Sequence, residues 1–487
     1  MTAERTFAKG FHERKFYRKA SEYSHLPFRF FRLANGSCLL TNIVGEYIVV
    51  SSSEFEAFVE SRLDQTNETY HELKSKHFLF EGDPSVPIEL LAAKYRTQKA
   101  NLPDLTALHI FVVTLRCDHS CHYCQVSRVS EDKSSFDMTP ATAIKAIDLM
   151  LQSPSKYLKI EFQGGESLLN FELIKLIVEQ TKAKAGDRIL DFVIASNLTH
   201  LTDEILWYAK EHRINFSCSL DGQEALHNAN RPLKNAASYK YTIEGIAKIR
   251  DALGHGAVSA LMTTTAESLK DPRPLIDEYI KQGFESVFLR WISPFGFALK
   301  TNRKIGYETE KYIDFFRRGL DYILELNLAG TFLREEYASI ILHKILRPYA
   351  HGYVDLQSPA GLGLSVMAYN YDGDVYASDE GRMLAEMGDK TFRLGNVHTS
   401  TYEEIFVESP VLEIASTTML EGVPGCSDCA FLPFCGADPV FHHATQGDMV
   451  GNKPTSAFCE RNMAIIQHIF EILHTDPKRA KILRSWI

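Results

Sequence analysis

The sequence predicts an α/β fold: a partial (βα)6 barrel, with a small α+β domain before it and a cysteine-rich domain after it. Three observations lead there. Between residues 105 and 300, apolar runs of strand length alternate with longer amphipathic segments. Cys117, Cys121 and Cys124 stand just beyond the first of those runs. Cys426, Cys429, Cys435 and Cys459 gather near the far end. The domains read as residues 1–100, 101–345 and 346–487.

Composition narrows the function class. Of 487 residues, 45% are hydrophobic and 24% charged, an ordinary globular balance. The net charge of -9, with no basic stripe, argues against a nucleic-acid partner. No apolar run approaches the ~20 residues of a membrane span. Met1 to Tyr23 is basic and polar with no apolar segment, so it does not read as a secretory signal. Seven of nine cysteines are clustered, which points to metal binding in a reducing, cytoplasmic setting and away from disulfides. Cys38 and Cys218 stand alone in apolar runs and read as core residues.

In chain order, residues 1–25 read as an arm. Ser37–Asn42 and Glu46–Ser51 read as strands around Ile43-Val44-Gly45. Helical stretches follow over Ser53–Leu63, with Ser53 as N-cap, and Glu68–Lys76, which leads into the apolar run His77–Phe80. Gly82-Asp83-Pro84 and Asn101-Leu102-Pro103 punctuate the way to the barrel. Its strands are expected at 108–115, 157–162, 189–195, 213–219, 257–262 and 286–291. Its helices are expected at 139–152, 170–184, 202–211, 238–253 and 272–282. Thr139-Pro140 and Asp271-Pro272 make sound helix starts, with proline in the first turn. Another helix is expected over Phe315–Leu328.

A β/α barrel carries its chemistry at the C-terminal ends of its strands. Those ends deliver, in order, the three cysteines, Gln163-Gly164-Gly165-Glu166-Ser167, Ser196-Asn197, Ser219-Leu220-Asp221-Gly222, Met262-Thr263-Thr264 and Arg290-Trp291. All fall on one predicted face. Three thiolates on one tight loop hold a cluster with one position open, or a zinc ion closed by His119 or His122.

The spacing of Cys117, Cys121 and Cys124, with Tyr123 before the last, resembles the radical S-adenosylmethionine (AdoMet, SAM) family. The resemblance implies a [4Fe–4S] cluster on the three cysteines, with AdoMet on its open iron. It implies reductive AdoMet cleavage to a 5′-deoxyadenosyl radical that takes a hydrogen atom from substrate. On the same resemblance Gly164, Gly165 and Glu166 meet the AdoMet amino group, and Tyr123 lies near adenine. Ser196, Asn197, Ser219 and Asp221 suit the ribose hydroxyls and the AdoMet carboxylate. Arg231, in His227-Asn228-x-x-Arg231, lies near AdoMet in that pattern. The plainer reading of these groups is turn chemistry, a packed ring and a surface ion pair.

Cys426-x-x-Cys429-x5-Cys435 with Cys459 can close a four-ligand site, either zinc or iron–sulfur. The region is similar to the SPASM domain, an extension of radical SAM enzymes that modify peptides. That domain implies two auxiliary clusters, and this sequence departs from it. Ser358-Pro359-Ala360-Gly361-Leu362-Gly363 lacks the expected cysteine, Ser378 stands where another is usual, and Asp438-Pro439 replaces a third. One auxiliary [4Fe–4S] cluster is therefore expected. Asp379 resembles a catalytic acid/base of some relatives, and a surface carboxylate is its plainer reading. His442 and His443 read as structural. Leu26–Leu33, Asn42-x-x-Gly45-Glu46-Tyr47, Cys435-Gly436-Ala437-Asp438-Pro439 and Gly451-x-x-Pro454-Thr455-Ser456-Ala457-Phe458-Cys459 resemble the HxsB group, maturases of His-Xaa-Ser peptide systems. That group implies a ribosomal precursor peptide as substrate, a second radical SAM maturase as partner and an external electron donor. The strand-and-helix pattern of residues 26–100 resembles a peptide-recognition element that binds leader peptide by strand addition.

Overall fold

The computed structural model of the protein describes residues 23–100, 102–124, 128–130, 134–234, 238–296, 305–348 and 352–487. Residues 1–22 of the expected arm and Asn101 of the expected linker lie outside the described residues. The chain separates into two compact units, Met1–Thr97 and Gln98–Ile487.

In the first unit β1 (Ser24–His25) precedes three strands, β2 (Arg29–Arg32), β3 (Cys38–Thr41) and β4 (Tyr47–Val50). These three form an antiparallel sheet in sequence order. β5 (Leu79–Phe80) pairs antiparallel with β1. The Ser52–Val59 helix has its cap two residues earlier than expected and ends four residues sooner. Ser51 caps it and exchanges bonds with Glu54 in a capping box, so Ser53 is already helical. Cys38 is fully buried among Leu40, Phe58, Leu73 and Phe78, as its apolar setting predicts. The Ser85–Gln98 helix was not foreseen, because Gly82-Asp83-Pro84 at its start reads as turn chemistry.

The second unit is built on β6 (Leu108–Thr114), β7 (Tyr157–Gly164), β8 (Ile189–Ser196), β9 (Ile214–Ser219) and β10 (Val258–Leu261). They pair in parallel, each beside its sequence neighbour. The expected crossover helices lie at Pro140–Met150, Phe171–Lys184, Asp203–His212 and Ser238–Leu253. Six of seven residues of β6 are buried, as a central parallel strand requires. The sixth barrel segment is a strand only over β11 (Ser286–Val287), which pairs with β12 (Arg334–Glu335). Its continuation still lies beside the barrel: the Thr264 N–H donates to the Arg290 carbonyl at 2.8 Å.

Past the barrel the chain returns to the same sheet. β13 (Val366–Tyr369) pairs in parallel with β6, and β14 (Asp374–Tyr376) and β15 (Arg393–Asn396) follow antiparallel. The resulting sheet of eight strands runs β10-β9-β8-β7-β6-β13-β14-β15. A ladder of rings crosses it, with Tyr369 4.9 Å from Phe111, Phe111 6.4 Å from Phe162, and Phe162 6.3 Å from Phe192. All four are essentially inaccessible to solvent, and such rings dominate core burial. Cys218 lies buried on β9.

Candidate functional site

The three-cysteine loop is fastened by backbone bonds to two other segments. Cys117 N–H donates to Val129 C=O at 3.0 Å, Ser120 N–H to Pro232 C=O at 2.8 Å, and His122 N–H to Asn230 C=O at 3.2 Å. Burial pushes the Cys117 thiol well up and the Cys121 thiol up to about 12. The neighbouring thiols add to this, Cys121 on Cys117 and Cys124 on Cys121. Buried thiols of this kind ionise when a positively charged centre binds them.

β7 delivers its glycines directly against the root of that loop. Gly165 N–H donates to Thr114 C=O at 2.8 Å and Glu166 N–H to Arg116 C=O at 2.7 Å. A Cβ on Gly165 would stand 2.6 Å from the Leu115 oxygen and from the Arg116 carbonyl carbon. A Cβ on Gly164 would strike the Thr114 carbonyl. Only glycine permits this close approach of backbone to backbone.

Glu166 is 1% exposed and held on three sides. Its Oε1 accepts from Ser196 Oγ at 2.7 Å and Leu168 N at 3.1 Å, and its Oε2 from Asn197 N at 2.7 Å. Burial raises its pKa against those donors. A carboxylate offers about four acceptor positions, so one on Oε2 is left for a ligand N–H. Asn197 Nδ2 donates to Asp118 Oδ1 at 2.8 Å, and its own Oδ1 is taken by Thr199 N at 2.9 Å.

Asp221 is fully buried and saturated. It accepts from Tyr123 OH at 2.5 Å, Arg231 Nε at 3.1 Å, Arg231 Nη2 at 3.2 Å and Thr263 N at 3.3 Å. The Arg231 guanidinium also lies 5.2 Å from the Tyr123 ring centre. Arg231 is therefore paired in the interior, not at the surface, and Asp221 fixes Arg231 and Tyr123. Ser219 closes β9 opposite Leu261.

Ser238, which no sequence pattern singled out, joins these groups together with His227, His119 and Asp118. Asp221 N–H donates to His227 Nδ1 at 3.3 Å, which places the proton of neutral His227 on Nε2. Burial keeps His227 neutral, with its pKa down to about 3. Nε2 donates to Ser238 Oγ at 2.9 Å, and Ser238 in turn donates to His119 Nε2 at 2.8 Å. His119 Nδ1 then donates to Asp118 Oδ1 at 2.7 Å. Burial opposes the charge on Asp118, but bonds from His119 and His200 outweigh it and hold the carboxyl well below its usual range. Both His119 nitrogens are thus committed, although Cys117, Asp118 and His119 place ligand-type atoms within 4.8 Å of one another. Ser238 lies 119 residues from His119, so no local signal marks the connection.

The second cysteine group has the same character. Burial lifts Cys435 to about 12 and Cys426 to about 11. Cys429 and Cys459 act electrostatically on both. Cys459 sits in the first turn of the Ala457–Thr475 helix, where Ser456 Oγ takes its N–H at 3.2 Å. A Cβ on Gly436 would stand 2.5 Å from Gln357 N, so the chain beside Cys435 also needs glycine. Lys344 Nζ donates to Cys435 C=O at 2.6 Å, and burial lowers this amine to about 8.

The missing cysteines have structural substitutes. Ser378 caps the Asp379–Ala385 helix through Gly381 N at 3.1 Å. Asp438 caps the Pro439–Gln446 helix through Phe441 N at 2.9 Å. Ser358 Oγ donates to Glu421 Oε2 at 2.5 Å. Asp379 is 8% exposed and paired with the fully buried Arg382 at 2.9 Å, so the expectation of a surface carboxylate does not hold. His442 and His443 are structural, bonded at 2.8 Å to Ser456 and Asp389.

Comparison with known proteins agrees with this geometry. Residues 111–278 match the family described as the radical SAM superfamily. An uncharacterized protein of Methanocaldococcus jannaschii is 36% identical over 126 residues, 26% of this chain and 42% of that one. The radical SAM cyclopropyl synthase TigE of Paramaledivibacter caminithermalis is 24% identical over 243 residues, 47% of this chain and 48% of TigE. The chain thus spans about half the length of these two relatives. A serine-type anaerobic sulfatase-maturating enzyme of Bacteroides thetaiotaomicron is 22% identical over 383 residues, 74% of this chain and 87% of that enzyme. The fold is shared with native anSMEcpe with bound AdoMet, at a TM-score of 0.64 and 16% identity over 78% of this chain and 99% of that one. It is shared also with Streptococcus suis SuiB bound to precursor peptide SuiA, at a TM-score of 0.53 and 12% identity over 88% and 98%. Residues 111–278, which hold the three-cysteine loop and the Gly-Gly-Glu strand end, are thus similar to the radical SAM superfamily.

Proposed function

We propose that the protein is a radical SAM maturase that removes a hydrogen atom from a ribosomally made peptide in order to crosslink or otherwise modify it. The observation that carries the reading is the three-cysteine loop, with Cys117 buried and Cys121 and Cys124 partly buried, fastened beside the Gly164-Gly165-Glu166 strand end and the Asp221–Arg231–Tyr123 group. Cys117, Cys121 and Cys124 would hold one [4Fe–4S] cluster, and Cys426, Cys429, Cys435 and Cys459 a second. The donor sets fit in their chemistry: soft thiols, Cys117 buried and the other six partly buried, with both His119 nitrogens bonded to other partners. A cluster with bound AdoMet supplies one-electron cleavage of a carbon–sulfur bond and, through it, hydrogen abstraction from unactivated carbon.

The chain's own groups bind, orient and exclude water. The open acceptor position on Glu166 Oε2 suits an ammonium, whose charge would offset the burial that disfavours the carboxylate. Asp221 holds Arg231 at a fixed angle over Tyr123, ready for an anionic or π-rich ligand group. The His227–Ser238–His119 series fixes the loop that carries the cysteines without placing a free charge beside them.

Support for a peptide substrate comes from the fold shared with SuiB in its complex with the precursor peptide SuiA. Residues 26–100 are read as the leader-recognition element, and the resemblance to the HxsB group points to His-Xaa-Ser repeats, a second maturase and an external electron donor. A second reading, a residue oxidase, is favoured by the relative that matures sulfatases over 74% of this chain. An epimerase would leave product mass unchanged, whereas a crosslink or oxidation removes two hydrogens.

The test is anaerobic. Iron and sulfide content and AdoMet cleavage are measured for wild type and for Cys117→Ala/Cys121→Ala/Cys124→Ala. About eight irons falling to about four, with 5′-deoxyadenosine lost, is the expected result. Zinc without iron, or cleavage that survives the triple substitution, would overturn it.

A further inference from the structure

A cavity of about 160 Å³ opens beside the sixth barrel segment, lined among others by Trp291, Ser293, Tyr307, Tyr312, Phe441 and Arg461. Its walls are aromatic and its polar groups few, the usual make-up of a ligand pocket. Trp291 follows Arg290, whose carbonyl accepts from Thr264 N just past the end of β10. Arg461 comes from the helix that carries Cys459.

Arg461 is 4% exposed, and its guanidinium carbon lies 3.7 Å from the Trp291 ring centre. Its Nε and Nη2 are buried and have no hydrogen-bond partner among the described residues. A guanidinium carries five donors and stays charged when buried. Leaving such a charge without acceptors is costly, so chains retain it where something else completes it. Asp355 and Asp438 feel its field. Neither forms an ion pair with it among the described residues. Asp438 spends Oδ1 on the cap of its own helix. Stacking on Trp291 fixes the plane of the fork, and two parallel N–H groups in a fixed plane match a carboxylate.

We propose that this cavity binds a carboxylate carried on a short stem, on the Arg461 guanidinium with the stem against the aromatic wall. The proposal rests on the peptide reading above and refines it: the substrate would present an acidic side chain or a free C-terminus here. A flat ring wall and one cationic edge would hold such a group against the strand-end face while a neighbouring residue is exposed to chemistry.

The test uses the full-length, anaerobically reconstituted protein and ligand-observed NMR or calorimetry. The probes are N-acetylglutamate amide for a side-chain carboxylate, N-acetylalanine for a C-terminal one, and N-acetylglutamine amide as the neutral control. At least one carboxylate probe should bind about tenfold or more tighter than the control, the difference expected for bonds to a charged donor. Which one does so identifies the source of the carboxylate. Arg461→Met should erase the preference while its unfolding midpoint holds or rises, because it removes an unmatched buried charge. Ala457→Leu, which fills the cavity and keeps Arg461, should erase binding as well, and it serves should Arg461→Met not fold. No preference in wild type, or preference retained in the variants, overturns the proposal. Because the readout needs no AdoMet turnover, such a failure leaves AdoMet cleavage and a peptide mass change to stand or fall separately.

Discussion

Gly165→Ala tests how tightly the strand-end glycines and the cysteine loop are coupled. The added Cβ would stand 2.6 Å from the Leu115 oxygen and the Arg116 carbonyl carbon, both backbone atoms that no rotamer change can move. The root of the loop must then shift away. Forcing a methyl into a packed site costs about 1–3 kcal/mol. The shift also lengthens the 2.8 Å bond from Gly165 N to Thr114 and the 2.7 Å bond from Glu166 N to Arg116. At about 1 kcal/mol each, the total comes to roughly 3–5 kcal/mol. Hydrogen–deuterium exchange should therefore show the Gly165 and Glu166 amides losing about a hundredfold or more in protection, since each 1.4 kcal/mol is tenfold. Iron recovered by the three-cysteine site after reconstitution should fall with it. Gly256→Ala, where nothing lies within 4 Å, should be near neutral in both assays. Unchanged protection and full iron in Gly165→Ala would refute the coupling.

Further outcomes follow from buried charges. Asp221→Asn leaves the mostly buried Arg231 without its counter-charge and should cost about 3 kcal/mol in a denaturation series. The double variant Asp221→Asn/Arg231→Met should recover part of that loss, and strict additivity would argue against the pair. Glu335 is fully buried and its pKa is raised to about 8, by burial against bonds from Ala338 and Leu289. The folded state thus keeps a proton that the unfolded chain releases above its ordinary value of about 4.5. Stability should therefore fall as pH rises from about 5 to 8, by up to about 1.4 kcal/mol per pH unit, and Glu335→Gln should flatten that slope in urea titrations. A slope identical in the variant would assign the pH dependence elsewhere.

Much of the barrel was legible because its signals are local. A strand followed by Gly164-Gly165-Glu166, or Thr139-Pro140 before an amphipathic run, is read within a dozen residues. The structure places β7 and the Pro140–Met150 helix where those signals put them, with Thr139 bonded to Thr142 N as the cap. Cys117, Cys121 and Cys124 were legible for the same reason: one loop must bring them together. The sixth strand was overextended because Phe288–Trp291 is apolar enough for a strand. There the backbone bonds singly to Thr264 and to Glu335, which accepts from Leu289 N at 3.1 Å, and not to a continuous ladder.

By itself the sequence determined the alternation of strand and helix, the face on which the polar strand ends collect, and the two thiol groups. Those depend on hydrophobic period, turn chemistry and spacing, all short-range. Only the tertiary structure decided that β13, β14 and β15 extend the barrel sheet, although Tyr369 and His109 are 260 residues apart. Only it decided that Ser238 bridges two histidines and that Arg461 lies over Trp291 with two nitrogens unmatched. Strands of three or four residues carry too little pattern to choose a partner. A buried polar group's partner is set by which side chains packing brings within 3 Å, and that is a property of the whole fold.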